Sequence, residues 1–211
     1  MKNKGRYNTK GTAEGEFEPG SNDLILKNSQ EITDPLILDE YETKALSVVT
    51  DSLIDEYDAN HRFSAQDICH MHGKWLGSLY SWVGKYRQVN MSKGGFTFAA
   101  AHLIEKLMAQ FEKKELRQYT PCIFKNEPEI INALAIVHTE LVLIHPFREG
   151  NGRLARLFST LMALQAGLPI LNFSGIKNDW QEQYFAAVRA GLDHNYEPMK
   201  TIFSNVVSQS Q

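Results

Sequence analysis

The chain has 211 residues, 43% of them hydrophobic and 22% charged, with a formal net charge of −3. That length can bury a real core as one large domain, and the composition is that of an ordinary globular protein. The slight acidity speaks against a dedicated nucleic-acid binder, which shows a strong basic excess, so no direct nucleic-acid partner is expected.

The two cysteines, Cys69 and Cys122, stand far apart and outside any CxxC pattern. Two reduced thiols are expected, not a zinc site or a disulfide framework. The start MKNKGRYNTK is basic but no apolar stretch follows it, unlike a signal peptide. No apolar run approaches the roughly 20 residues that span a bilayer. The best one, LAIVHTELVLI from Leu134, is interrupted by His138 and Glu140. A cytoplasmic location with no membrane partner is expected.

Residues 1–22 contain Gly5, Gly11, Gly15, Pro19 and Gly20 among few apolar side chains. They read as a flexible N-terminal arm, followed by a domain over 23–211. From Leu36 onward helical periodicity dominates: Leu38, Tyr41, Ala45, Leu46, Val49, Leu53 and Tyr57 fall near helical spacing. Ser64 is a good N-cap for a second helix with Ile68, Met71, Trp75 and Leu79. A third covers about 99–116, with Leu103, Leu107 and Phe111 on one stripe. The fourth runs from about Asn126 to Ile144, apolar almost all round, as a central buried helix would be. The fifth opens near Asn151 and ends before Gly167, a plausible C′ residue. Two more are expected over 178–190 and 196–207. One segment differs: YRQVNMSKGGFTF, 86–98, alternates loosely around Gly94-Gly95 and reads as a β-hairpin. The expected fold class is therefore all-α, with one small hairpin.

The richest chemistry is HPFREGNGR, 145–153, between the buried fourth helix and the fifth. The first amides of a helix have no intrahelical partner and sit at the positive end of its dipole. Glycines let a ligand approach the backbone. Gly150, Asn151 and Gly152 thus suggest a phosphate cradle, and Arg153 and Arg156 offer forks that match phosphate oxygens. Glu149 is a lone carboxylate beside that cradle, as magnesium needs when phosphates supply its other ligands. His145 remains for proton transfer, able as a neutral imidazole to accept a hydroxyl proton. Taken singly, each piece has a bland reading: a structural histidine, a turn, a solvated helix face. The combination is rarer than its parts, and the GxxxxGK[ST], GxGxxG and HExxH patterns are absent.

HPFREGNGRLAR, 145–156, matches HxFx[DE]GNGRxxR without a departure, and the chain resembles the Fic (filamentation induced by cAMP) domain family. NMSKGGFTFA is similar to the family's flap, and EPGSNDLILKNSQEITD to its lead-in. The resemblance implies an α-helical fold with a β-hairpin flap over the active site. It implies a protein adenylyltransferase that moves AMP from MgATP to a Ser, Thr or Tyr hydroxyl of a target protein. His145 would be the base and Glu149 the Mg2+ ligand. Backbone at Gly150, Asn151 and Gly152 would cradle phosphates, Arg153 and Arg156 would bind the distal ones, and Phe147 would anchor the loop. The target would add along the flap as an extra strand, and Lys93 and Gly94 would reach the nucleotide.

Many relatives are restrained by a helix with the pattern [ST]xxxE[GN], whose glutamate would pair with Arg156. Here Thr9 and Glu14-Gly15 are one residue too far apart, and the tail TIFSNVVSQSQ has no glutamate. A separate small inhibitory antitoxin is the expected source of any restraint. Transfer of another group, phosphate or UMP, and a catalytically silent helical interaction module are the alternatives. Gly152, where phosphorylating relatives resemble this loop but carry lysine, favours AMP. Outside the motif, His70 and His72 read as core-edge histidines and His138 as packing or support for the loop. Glu182, Tyr184 and Asn195 could border a nucleotide pocket.

Overall fold

The computed structural model describes residues 13–93, 95–177 and 180–211. Of the arm expected over 1–22, residues 1–12 lie outside these. Residues 13–22 are tied to the body: Glu14 is buried, and Phe17 pairs with Leu26 in an antiparallel bridge. Glu18 accepts from the Asn28 amide at 3.0 Å. Buried carboxylates and main-chain hydrogen bonds, not apolar side chains, hold this segment down.

Helix α1 (Pro35–Glu56) is capped by Asp34, whose carboxylate accepts from the Leu36 amide at 2.8 Å. Helix α2 (Ala65–Leu76) opens with a reciprocal box between Ser64 and Asp67, which satisfies two otherwise orphaned amides. It stops before Leu79, which is buried in the turn beyond. The hairpin expected over 86–98 is present but short: β1 (Ser92–Lys93) pairs antiparallel with β2 (Phe96–Thr97), Lys93 opposite Phe96. The third expected helix is segmented. A 3-10 turn (Ala101–Leu103) leads into α3 (Ile104–Phe111), a π segment (Glu112–Leu116) and α4 (Arg117–Tyr119).

Helix α5 (Glu127–Ile144) is the central element. Asn126 caps it, and it packs against α6 (Asn151–Gln165) and α9 (Glu197–Ser210), and also against α3 and α8 (Gln181–Ala190). It is buried on almost every side, as its apolar sequence requires. The short α7 (Ser174–Lys177) was not anticipated, and α8 begins three residues later than expected, part of its expected first turn lying outside the described residues. Gly167, with φ +76°, follows the end of α6 as a left-handed C-terminal residue. Helix α1 lies against α2 and α6. The architecture is all-α with a two-stranded hairpin, and no helix among the described residues is long and apolar enough to cross a membrane.

Candidate active site

The loop between α5 and α6 is where the chain's unusual backbone and unusual side chains coincide. His145 ends α5 in the left-handed region (φ 52°), and Gly150 starts α6 there too (φ 79°). At Gly150 a side chain would be strained, and its Cβ would sit 2.7 Å from Trp75 Cζ3. Only glycine brings the chain past Trp75 into the helix.

Three buried groups hold the loop. The Phe147 ring is fully buried and stacks on the His72 imidazole at 4.0 Å. The Asn151 side chain accepts from the Phe147 amide at 2.8 Å and donates to its carbonyl at 2.7 Å. His72 accepts from the Gly84 amide at Nδ1, 3.0 Å, so its Nε2 carries the proton and donates to the Glu149 carbonyl at 3.1 Å. Asn151, expected only as backbone, thus also braces the loop with its side chain. His72 lies in the centre, not at the core edge.

The amides of Asn151, Gly152 and Arg153 have no acceptor among the described residues. Gly150 supplies no side-chain cap, so the positive end of α6 is left open. Arg153 lies over the Trp75 ring at 4.9 Å and pairs with the buried Glu42 of α1 at 2.5 Å. Glu42 also accepts from the Tyr80 hydroxyl at 2.9 Å, and burial raises its pKa against the pull of Arg153. Arg156 is different: it has no acidic partner among the described residues. Burial lowers its pKa, the neighbouring Tyr184 opposes this, and Arg153 adds to it. Gly152 leaves room beside it, a Cβ there falling 3.8 Å from Arg156 Nη1.

Glu149 is the exposed member of the loop. Its Oε1 accepts from the Gly150 amide at 2.9 Å and lies 3.8 Å from Arg153 Nη2. Its Oε2 has no partner among the described residues. Among the described residues no group of three potential metal ligands is present. The donor set suits an ion that needs one protein carboxylate and takes its remaining ligands from water and phosphate.

His145 Nδ1 faces the Val142 carbonyl at 3.2 Å and must donate to it, so Nε2 carries the free lone pair. Burial pushes the imidazole pKa down to about 3; the Val142 bond works against this, and Arg87 and Lys93 add to it. The ring is therefore neutral near pH 7 and stacks on Phe98, at the foot of the hairpin, at 3.7 Å. Lys93 extends from the hairpin over the Phe185 ring of α8 at 5.6 Å. Gly94 lies outside the described residues. Behind Arg156, His138 donates from Nδ1 to Ser159 at 3.0 Å and accepts at Nε2 from the Tyr184 hydroxyl at 2.8 Å. His138 supports the core beneath the loop, as packing had suggested. Tyr184 borders Arg156.

Glu42 and Arg87 were not singled out from the sequence. A lone glutamate on a helix and a lone arginine in a polar stretch look solvated until the fold buries them.

The arrangement defines a helical domain with a hairpin beside an open helix start and a neutral histidine. Residues 62–163 match the Fic/DOC family. Among curated relatives, Protein adenylyltransferase fic-1 of Caenorhabditis briggsae is 33% identical over 52% of this chain and 21% of its own length. A probable protein adenylyltransferase Fic of Escherichia coli K12 is 26% identical over 66% of this chain and 68% of its own. This chain thus spans a fraction of the first relative and about two thirds of the second. The BepC protein of Bartonella tribocorum, crystallised with AMPPNP, aligns with TM-score 0.71 at 25% identity, covering 86% of this chain and 91% of that one. The Fic domain of an effector from Bartonella sp. AR 15-3 aligns with TM-score 0.74 at 22% identity, over 92% and 91%, and shows the shared fold.

Proposed function

We propose that this protein transfers AMP from ATP to a Ser, Thr or Tyr hydroxyl of a target protein. One observation carries the reading. A neutral His145, its Nδ1 committed to Val142, sits beside a helix start whose amides are open and whose Arg156 lacks an acidic partner among the described residues. The names of the curated relatives and the bound AMPPNP of BepC support it.

In this mechanism the triphosphate lies over the start of α6. The amides of Asn151 and Gly152 cradle its oxygens, with Gly150 giving clearance, and the forks of Arg153 and Arg156 bind the distal phosphates. Lys93 approaches the nucleotide from the hairpin. Glu149 would hold Mg2+, which neutralises phosphate charge when bound. The target segment adds to the hairpin edge. Its hydroxyl oxygen forms the new bond to the α-phosphorus, the bond to the bridging oxygen breaks, and pyrophosphate leaves. The hydroxyl proton goes to His145 Nε2. The triphosphate's negative charge raises the imidazole's proton affinity from its low resting value, so the base strengthens as substrate binds.

Restraint, in this reading, comes from a separate small protein that places a carboxylate on Arg156. Glu14, in the described part of the arm, accepts from the Gln88 amide at 2.6 Å instead. Activation of the chain by removal of its own arm would overturn this.

The test is incubation of the chain and of His145→Ala with ATP labelled on the α- or the γ-phosphate, in lysate. The α-label is expected on a protein band with the parent only, while His145→Ala still binds ATP. Transfer of the γ-label would make the chain a phosphotransferase, and no transfer under any condition would leave a silent interaction module.

A further inference from the structure

Arg87 precedes the hairpin and is wholly buried. A buried guanidinium is tolerable only where its N–H groups find acceptors. Those of Arg87 find main-chain carbonyls on three segments. Nε donates to His145 O at 2.7 Å, Nη1 to Val89 O at 2.6 Å, and Nη2 to Ala99 O at 2.6 Å. The Arg87 amide itself donates to Pro146 O at 2.9 Å. Val89 and Ala99 are the two feet of the hairpin, which the Phe98 amide closes onto Met91 O at 3.0 Å.

We propose that Arg87 is the positioning residue that sets the register of the hairpin against His145, one planar fork fixing both hairpin feet and the histidine's carbonyl. A guanidinium is rigid, so its acceptors must lie near one plane. Moving the hairpin feet therefore moves the His145 peptide with them. His145 needs such a restraint, because its left-handed backbone is unfavourable for a non-glycine residue. The Phe98–His145 stack at 3.7 Å joins the same two parts through side chains. Whatever the hairpin edge holds is thereby placed relative to Nε2. The catalytic part of this inference rests on the reading of His145 as the base; the structural coupling does not.

Two arms separate these. In the parent chain, hydrogen exchange at the amides of Arg87, Phe98, His145 and Phe147 is expected to report one opening unit, with protection within about tenfold and a common response to urea. Independent opening of Phe98 would overturn the coupling, and this arm needs no variant. In Arg87→Lys, a single ammonium cannot reach all the carbonyls. Exchange at Phe98 and Phe147 is expected to rise together by about tenfold or more, while amides of α6 and α9 change by less than about threefold. A rise on one side only, or throughout the chain, would overturn it. For transfer, ATP affinity is expected to stay within about threefold while the rate falls about 100-fold, the effect of a small misplacement. An unchanged rate in a loosened variant would defeat the positioning role. A parent chain without transfer would defeat the function proposed above, and the exchange results would still decide the coupling.

Discussion

Lowering the pH from about 7 to about 5 is expected to remove about 4 kcal/mol of stability through two histidines alone. His72 and His138 are fully buried, and each has a ring nitrogen that accepts a hydrogen bond: Nδ1 of His72 from the Gly84 amide, Nε2 of His138 from the Tyr184 hydroxyl. A proton added at either nitrogen opposes that bond and places a charge in the core. Burial accordingly pushes the pKa of His72 down to about 4 and that of His138 down to about 3, the nearby Arg156 adding to the second. In the unfolded chain both return to about 6.5. Between the two values the unfolded chain binds a proton that the folded chain does not. The stabilisation is complete above about pH 6.5 and is lost as pH falls towards the folded values, about 2 kcal/mol per histidine by about pH 5. Against a total of about 5–15 kcal/mol, that is a large loss. Glu42 and Glu140, whose pKa values burial raises, act in the opposite sense. The assay is therefore comparative: urea unfolding of the parent and of His138→Gln at both pH values and constant ionic strength. The pH-dependent loss should shrink by about 2 kcal/mol in the variant, whatever the variant costs at neutral pH. Equal losses in the two proteins would refute the argument.

Three further outcomes follow from the loop and its neighbours. Gly150→Ala should cost about 2–4 kcal/mol, combining left-handed strain with the collision against Trp75, and should lower the urea midpoint accordingly; a neutral effect would mean Trp75 moves freely. Asn151→Ala removes both bonds to Phe147 and should cost about 2–4 kcal/mol in the same assay, with loss of ATP binding as the cradle loosens. Glu42→Gln keeps the size but breaks the pair with Arg153, and should cost about 1–3 kcal/mol by urea unfolding, since Arg153 is only partly buried.

What could be read along the chain was whatever lies in contiguous sequence. Helices α1, α2, α5, α6 and α9 declare themselves by apolar spacing and by Asn126 and Ser64 at their starts, because helix periodicity and capping act within a few residues. The site loop was legible for the same reason: His145, Glu149, Gly150 and Arg153 occupy one short turn between two helices. The hairpin was visible through Gly95 and its flanking β-formers, although its ladder extends over only two residues on each strand. The segmentation of α3 and the start of α8 were not, because packing overrides weak local preference there.

Other features had no local signature. The burial of Arg87 depends on carbonyls from the hairpin feet and the end of α5, which are adjacent only in the folded chain. Glu42 becomes a partner for Arg153 only when α1 is laid across α2 and α6. His72 could be recognised as core-facing, but its donation to the Glu149 carbonyl joins α2 to a loop far along the chain. The sequence alone determined the long helices and the one short loop where the polar motif residues are concentrated, since both are set by interactions a few residues long. Tertiary structure decided which ring nitrogen of His145 is free, which arginine is paired with a carboxylate among the described residues and which is not, and how the hairpin is registered on the loop, since burial and hydrogen-bond partners are properties of segments brought together.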